Sequence, residues 1–198
     1  MNARSLAAAL VAAAALLVAG CSAEPPAAPP AQQQADHNQA DVTFAQGMVP
    51  HHQQAIEMAD QVPSRTSNPA VIGLADRIRA AQQPEIDKLN GWLSAWGASA
   101  TGGTDHGGMD HGGMDHGQMG HDMGGMMSAD DMAALERAQG PEFDRMWLQM
   151  MVEHHRGAVE MAGTELRDGQ HAEAKAMARQ IVDSQQAEID EMNALLRG

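Results

Sequence analysis

The chain has 198 residues and a formal net charge of −14, with 12 Lys and Arg against 26 Asp and Glu. Without a basic cluster that balance excludes nucleic acid as a partner, because phosphate binding needs Lys and Arg. Cysteine occurs once, so no intrachain disulfide can form, whereas 16 Met and 10 His are an excess that asks for a reason.

Residues 1–20 read as an export signal. Arg4 precedes an apolar run from Leu6 to Ala19, with small residues before a cleavage point. The run is too short to span a bilayer comfortably. Val18-Ala19-Gly20-Cys21 resembles a bacterial lipobox, which would make Cys21 a lipidated N-terminus; the alternative is an ordinary signal peptide with an incidental cysteine. The expectation is an exported protein, lipid-anchored to the cell membrane through Cys21 and facing the periplasm or the cell exterior. Two acyl chains hold stably, at about 0.8 kcal/mol per buried CH₂. Residues 21–40, rich in Pro, Ala and Gln, read as a flexible tether.

Residues 41–198 read as one duplicated domain. Met48-Val49-Pro50-His51-His52, followed by Ala55, Glu57, Met58 and Ala59, returns as Met151-Val152-Glu153-His154-His155, followed by Ala158, Glu160, Met161 and Ala162. The offset, from His51 to His154, is 103 residues and holds without a gap from Asp41/Asp144 to Leu93/Leu196. It pairs Gln82 with Gln185 and Glu85 with Glu188. Repeat one spans 41–97 and repeat two 128–198, with an insertion at 98–127.

The first helix is expected from Asp41 to Val62, with Phe44, Met48, His51, Ala55 and Met58 on one face. Pro50 inside it is expected to kink it, at up to about 3 kcal/mol, and Pro63 to end it. Asn68-Pro69 pairs an N-cap with proline at the first helical position. The second helix then runs to about Trp96, with Gly97 as its stop and a stripe of Ile78, Gln82, Glu85, Leu89 and Trp92.

The insertion is Gly-rich, nearly free of branched apolar residues, and expected to be disordered. It repeats His106-Gly107-Gly108-Met109, His111-Gly112-Gly113-Met114 and His116-Gly117-Gln118-Met119, then adds His121, Met123, Met126 and Met127. Ser128 opens a short helix with Asp131 as a capping-box partner. Gly140-Pro141 opens the third long helix, where Trp147, Met151, His154, Ala158 and Met161 repeat the first stripe. After a turn at Asp168-Gly169 the fourth runs from about Gln170 to Leu196, with Ile181, Gln185, Glu188, Met192 and Leu195 on one face. The fold class is all-α: a four-helix bundle of two duplicated helical hairpins with a Met/His/Gly-rich insertion.

Each hairpin carries polar groups midway along an apolar face, where an unpaired Glu or His is costly. A His–Glu–Gln network fixing helix register would account for a single His. Two His-His pairs, His51-His52 and His154-His155, flanked by Met48, Met58, Met151 and Met161, favour a metal. Gln82, Glu85, Gln185 and Glu188 would be further ligands or would orient the imidazoles. The Met stripe alone would be core. Imidazole binds Cu(I), Cu(II) and Zn(II), and thioether favours Cu(I), so the His-x-x-Met insertion reads as a set of copper or silver sites, with zinc behind them. Copper held by imidazole is expected to weaken below about pH 6, and Met-held copper to depend less on pH.

Phe143-Asp144, Met151, His154-His155, Ala158, Met161 and Ala162 resemble the signature of a bacterial secreted family, domain of unknown function 305. The first copy matches from Met48 to Ala59, and Gln82 to Ile86 and Gln185 to Ile189 match the segment that follows. The resemblance covers roughly Asp41 to Leu196 outside the insertion. It implies a ferritin-like bundle of two two-helix repeats with a functional His pair. Some members resemble periplasmic copper-tolerance proteins of the CopM type.

The leading expectation is an envelope-anchored protein that sequesters Cu(I) or hands it on to copper-exporting or copper-oxidising envelope proteins. A rival is a ferritin-like oxidoreductase with His51, His154, Glu85 and Glu188 around iron or copper. It lacks the Glu-x-x-His pairs of di-iron bundles, and the chain has no Ser-His-Asp set or reactive cysteine. A third is a structural or interaction bundle held by a histidine network. The sequence leaves the oligomeric state open.

Overall fold

The structure is a computed structural model that describes residues 36–99 and 124–198. The export signal, Cys21 and the tether up to residue 35 lie outside the described residues, as does the insertion from 100 to 123. The described residues form five helices and no strand: α1 (Gln39–Arg65), α2 (Pro69–Ala95), α3 (Ala129–Arg137), α4 (Gly140–Asp168) and α5 (Ala172–Arg197). Helices α1 and α2 form one hairpin, α4 and α5 the other, and α1 packs on α4 to join them into a four-helix bundle. Among the described residues no helix is long and apolar enough to cross a membrane.

The caps explain where the helices start. Helix α1 begins at Gln39, ahead of the expected Asp41, because Asn38 caps it. Asn38 Oδ1 accepts from the amides of Ala40 and Asp41 at 2.8 and 3.2 Å, and Asp41 Oδ2 accepts from the Asn38 amide at 2.6 Å. Asp41 Oδ1 also accepts from the amides of Gln170 and His171 at 3.0 and 2.8 Å, in the α4–α5 turn. One offset further on, Asp144 Oδ2 accepts from the Asn68 side-chain amide at 3.0 Å, at the α1–α2 turn. The first helix of each hairpin therefore ties down the turn of the other. Helix α3 forms both arms of its Ser128–Asp131 capping box. Helix α5 starts at Ala172 rather than Gln170, since His171 Nδ1 accepts from the Ala174 amide at 3.2 Å.

Pro63 does not end α1, which continues to Arg65. Proline there leaves the Ala59 carbonyl without its helical donor. Arg79 from α2 supplies one, Nη2 donating to Ala59 O at 3.1 Å. Pro50 also lies within the continuous helix.

Two apolar clusters fill the bundle. One holds Met58, Val62, Leu74, Ile78, Trp147 and Met151; the other holds Phe44, Met48, Leu89, Ala158, Ala162 and Ile181. The early part of α1 thus packs with the late part of α4, and the reverse, so the two helices run antiparallel. Trp147 Nε1 donates to Met58 O at 3.0 Å inside the first cluster. Between the clusters, where α1 meets α4, lies a polar layer.

Candidate metal centre

All four histidines of the two pairs are buried: His51, His52 and His155 are 0% exposed and His154 is 1% exposed. Adjacent helical residues point about 100° apart, so each pair reaches two neighbours. His51 and His154 turn toward each other across the α1–α4 contact, with ring centroids 3.8 Å apart and planes inclined at 40°. His52 and His155 turn back into their own hairpins. His52 Nε2 donates to Glu85 Oε2 at 2.7 Å, and His155 Nε2 donates to Glu188 Oε2 at 2.7 Å. Glu85 and Glu188, open from the sequence as ligands or supports, each accept a hydrogen bond from an imidazole through Oε2.

The third bond comes from the insertion. His51 Nε2 donates to the Gly124 carbonyl at 3.3 Å. A carboxylate or a carbonyl can only accept, so the proton sits on Nε2 in His51, His52 and His155. In each, Nδ1 then carries the lone pair in the neutral ring. Among the described residues, Nδ1 of all four histidines is buried without a hydrogen-bond partner. So is Nε2 of His154. The side-chain oxygens of Gln82 and Gln185 are orphaned in the same way.

Burial keeps the facing pair, His51 and His154, neutral. It pushes His51 down to about 3, with the neighbouring His52 adding to the effect and the Gly124 carbonyl opposing it. Burial also holds His154 well below the usual imidazole range, helped by His51, His155 and His52. The expected weakening of imidazole-held copper below pH 6 therefore applies to an ordinary histidine and not to these two. In the apo protein, His51 and His154 are expected not to titrate between about pH 7 and 5, where a free imidazole half-titrates near 6.5. Ring-proton NMR shifts across that range check it, and a shift midpoint near 6.5 for either ring would contradict the burial.

Thioethers stand beside the pair. Met48 precedes His51 by one helical turn and Met151 precedes His154 in the same way, and both are fully buried. Met58 is buried on the Met151 side of the layer, while Met161 is partly buried on the Met48 side. Among the described residues no three of His, Cys, Asp and Glu converge as a ready-made site. The layer thus offers two facing imidazoles, with methionines on the same two helices, and thioether is a donor that favours soft ions.

Of the insertion residues, His106, Met109, His111, Met114, His116, Met119, His121 and Met123 lie outside the described residues. Met126 and Met127 are described, and they correct one expectation. Disorder was expected through residue 127, but residues 124–127 are placed on the bundle. Met127 N donates to Gln54 Oε1 at 2.7 Å, and Gln54 Nε2 donates back to Met127 O at 2.8 Å.

Sequence reasoning also missed Gly124 and Gly157. Both α4 and the insertion backbone use glycine where they meet, and a Cβ on Gly157 would overlap Gly124 O. A glycine in the middle of a 29-residue helix was the available signal.

A family model described as domain of unknown function, DUF305, matches residues 41–196. The chain belongs to the DUF305 family. A candidate secreted DUF305 protein from Streptomyces coelicolor has a similar structure, with a TM-score of 0.70 and 35% identity over 83% of this chain and 94% of that one. A DUF305 fragment from Deinococcus radiodurans gives a TM-score of 0.66 at 29% identity, over 80% of this chain and 96% of that one. CopM in its Cu(I)-bound form gives a TM-score of 0.62 at 28% identity, over 79% of this chain and 95% of that one. CopM is also described with Cu(II) and with Ag bound. A curated viral relative, protein L153 of Acanthamoeba polyphaga mimivirus, is 40% identical over 53 residues, and the match spans 35% of that protein.

Proposed function

We propose that this DUF305 protein binds Cu(I) at the cell envelope, in the service of copper tolerance or homeostasis. The observation that carries the proposal is the row of orphaned Nδ1 atoms. A buried donor or acceptor without a partner costs about 1–3 kcal/mol, and a network evolved only to fix helix register would pair them. Three of the four imidazoles instead have Nε2 tied to a carboxylate or carbonyl and Nδ1 left free. That is how proteins hold a histidine whose other nitrogen meets a metal. His51 and His154 take the ion on nitrogen, and Met48 and Met151 supply sulfur. Gln82 and Gln185 line the layer, and Glu85 and Glu188 fix the flanking His52 and His155. Met58 and Met161 bound it.

The insertion serves as a capture segment, with His106, Met109, His111, Met114, His116, Met119, His121 and Met123 offering interchangeable weak sites. The copper and silver held by CopM, a structural neighbour at 27–32% identity, support the same class of ion here. Export, a lipid anchor at Cys21 and transfer to copper-exporting or copper-oxidising envelope proteins complete the reading. The secreted character ascribed to the Streptomyces relative supports export.

Replacing the eight insertion ligands from His106 to Met123 with Ser tests the division of labour. This loop-silenced chain is expected to lose the weaker Cu(I) equivalents and keep at least one tight site, with unchanged helix content. Titration under reducing conditions against a Cu(I) chelator measures both classes. Loss of every site would place all binding in the insertion and leave the bundle layer as a structural network.

A further inference from the structure

The sequence offset that pairs the two hairpins pairs Gln54 with Gly157. These are the two residues that grip the end of the insertion, and they do so in unlike ways. Gln54 makes two side-chain hydrogen bonds to the backbone of Met127, at 2.7 and 2.8 Å. Gly157 has no side chain, and its bare backbone receives the Gly124 carbonyl. Gly125, with φ of 85°, turns the chain in a conformation that other residues rarely adopt. The repeats thus diverge at one equivalent pair, and the divergence makes room for residues 124–127.

A glycine inside a helix is destabilising relative to alanine. Gly157 is fully inside α4, so its presence needs a packing reason, and the backbone-on-backbone contact with Gly124 supplies it. The same segment ends on His51: Gly124 O accepts from Nε2, which is the bond that leaves Nδ1 with the lone pair. The other side of the insertion is fixed nearby, Gln46 Nε2 donating to Ser99 O at 2.9 Å. Gln46 and Gln54 sit on α1 on either side of His51, separated by about 12 Å of helix rise. Both described ends of the insertion therefore flank this histidine.

We infer that residues 124–127 are a strap over the bundle metal centre, with Gly157 as its seat and Gln54 as its clasp. The Gly124 carbonyl positions His51 for coordination through Nδ1, and the closed strap slows the exchange of the ion between the insertion and the His51–His154 pair. The inference rests on the proposed function, because it assigns a gate to that same centre.

Gly157→Ala is expected to unseat the strap, since its methyl takes the place of Gly124 O. Gln54→Ala is expected to release the other end without adding bulk, which covers the case where Gly157→Ala fails to fold. Both are made in the full-length, loop-silenced chain, and the Cu(I) off-rate to excess chelator is followed by stopped flow. Each variant is expected to release Cu(I) at least tenfold faster than the parent. In the apo variants the His51 imidazole ¹⁵N shifts are expected to move toward a mixture of tautomers, while His52 and His155, held by their own carboxylates, stay fixed. A purely structural strap would change melting but leave the His51 shifts and the off-rate alone, and that result would overturn the inference. If the parent itself binds no Cu(I), the proposed function fails instead; an unchanged off-rate in a parent that does bind counts against the strap alone.

Discussion

A double variant, His51→Leu with His154→Leu, is expected to lose the bundle's Cu(I) site and still fold at least as stably as the apo protein. Both rings are buried and neutral, and three of their four nitrogens have no partner. Each orphan costs about 1–3 kcal/mol, a cost that an apolar side chain of similar volume removes. Leucine is slightly larger, and tight packing opposes part of the gain at about 1–3 kcal/mol. The two terms nearly offset, so the urea midpoint of the apo variant should match or exceed that of the parent. Cu(I) affinity in the loop-silenced background should meanwhile fall by orders of magnitude. A histidine network that sets helix register predicts the opposite stability result: a loss of about 3 kcal/mol or more, as when a satisfied buried polar group loses its partner. His52 and His155 are unsuited to the same test, because their removal strands Glu85 and Glu188 half-buried.

The second large effect concerns a carboxyl pair remote from the metal layer. Glu165 is 1% exposed and stands one offset from Val62, so repeat two buries an acid where repeat one buries valine. Burial raises its carboxyl to about 8, with Asp41 across from it adding to the rise and Lys175 opposing it. Burial also pushes Asp41 upward, but backbone hydrogen bonds from Asn38, His171 and Gln170, helped by the neighbouring Glu165, hold it below the usual carboxylate range. Neighbouring carboxyl groups resist ionising together, and Glu165, whose carboxyl is the one raised, is the one that keeps its proton.

Stability should therefore fall as pH rises from about 4.5 toward 8, because the folded chain keeps a proton that the unfolded chain has released. The slope approaches about 1.4 kcal/mol per pH unit for one proton. Asp41 acts in the other sense, its contribution being lost as pH falls through its lowered value. His51 and His154 also oppose Glu165 below the ordinary imidazole range, since unfolding lets them take up protons. Between about pH 6.5 and 8 Glu165 acts without that opposition. Urea midpoints across this range should fall for the parent and stay nearly level for Glu165→Gln. Parallel curves for the two proteins would show that Glu165 is already ionised in the folded state. A Cβ on Gly169 would meet the Glu165 carboxyl, so a larger residue in the α4–α5 turn would displace the end of that side chain.

Much of the bundle was legible because its signals are local or repeated. The helical stripes, the Asn68-Pro69 start, the Gly97 stop and the Ser128–Asp131 box each depend on residues within a few positions of one another. The 103-residue offset brought His51 and His154 to equivalent places, and the antiparallel α1–α4 contact set them face to face. What escaped the sequence depends on distant partners. Pro63 reads as a helix stop until Arg79 restores a donor to Ala59 O. His171 is an uncommon N-cap. Glu85 and Glu188 fall on a stripe flank from which either ligation or support was open, and their bonds to His52 and His155 depend on a partner 33 residues away. Residues 124–127 belong by composition to the glycine-rich insertion, yet Gln54 and Gly157 hold them on the bundle. Two of these features were present as mismatches between the copies, Val62 with Glu165 and Gln54 with Gly157. Where a repeat departs from itself at a buried position, the departure marks a local demand that the shared fold does not explain.

Imidazole ¹H–¹⁵N correlation spectra of the full-length, loop-silenced protein, titrated with Ag(I) as a redox-inert stand-in for Cu(I), show whether His51 and His154 take a soft monovalent ion. Saturation is expected at a single equivalent, with the Nδ1 resonance of His51 and a ring-nitrogen resonance of His154 shifting and the Nε2 protons of His52 and His155 retained on their carboxylates. Spectra of His51 and His154 that stay unchanged through several equivalents of Ag(I) would leave the bundle without a metal site.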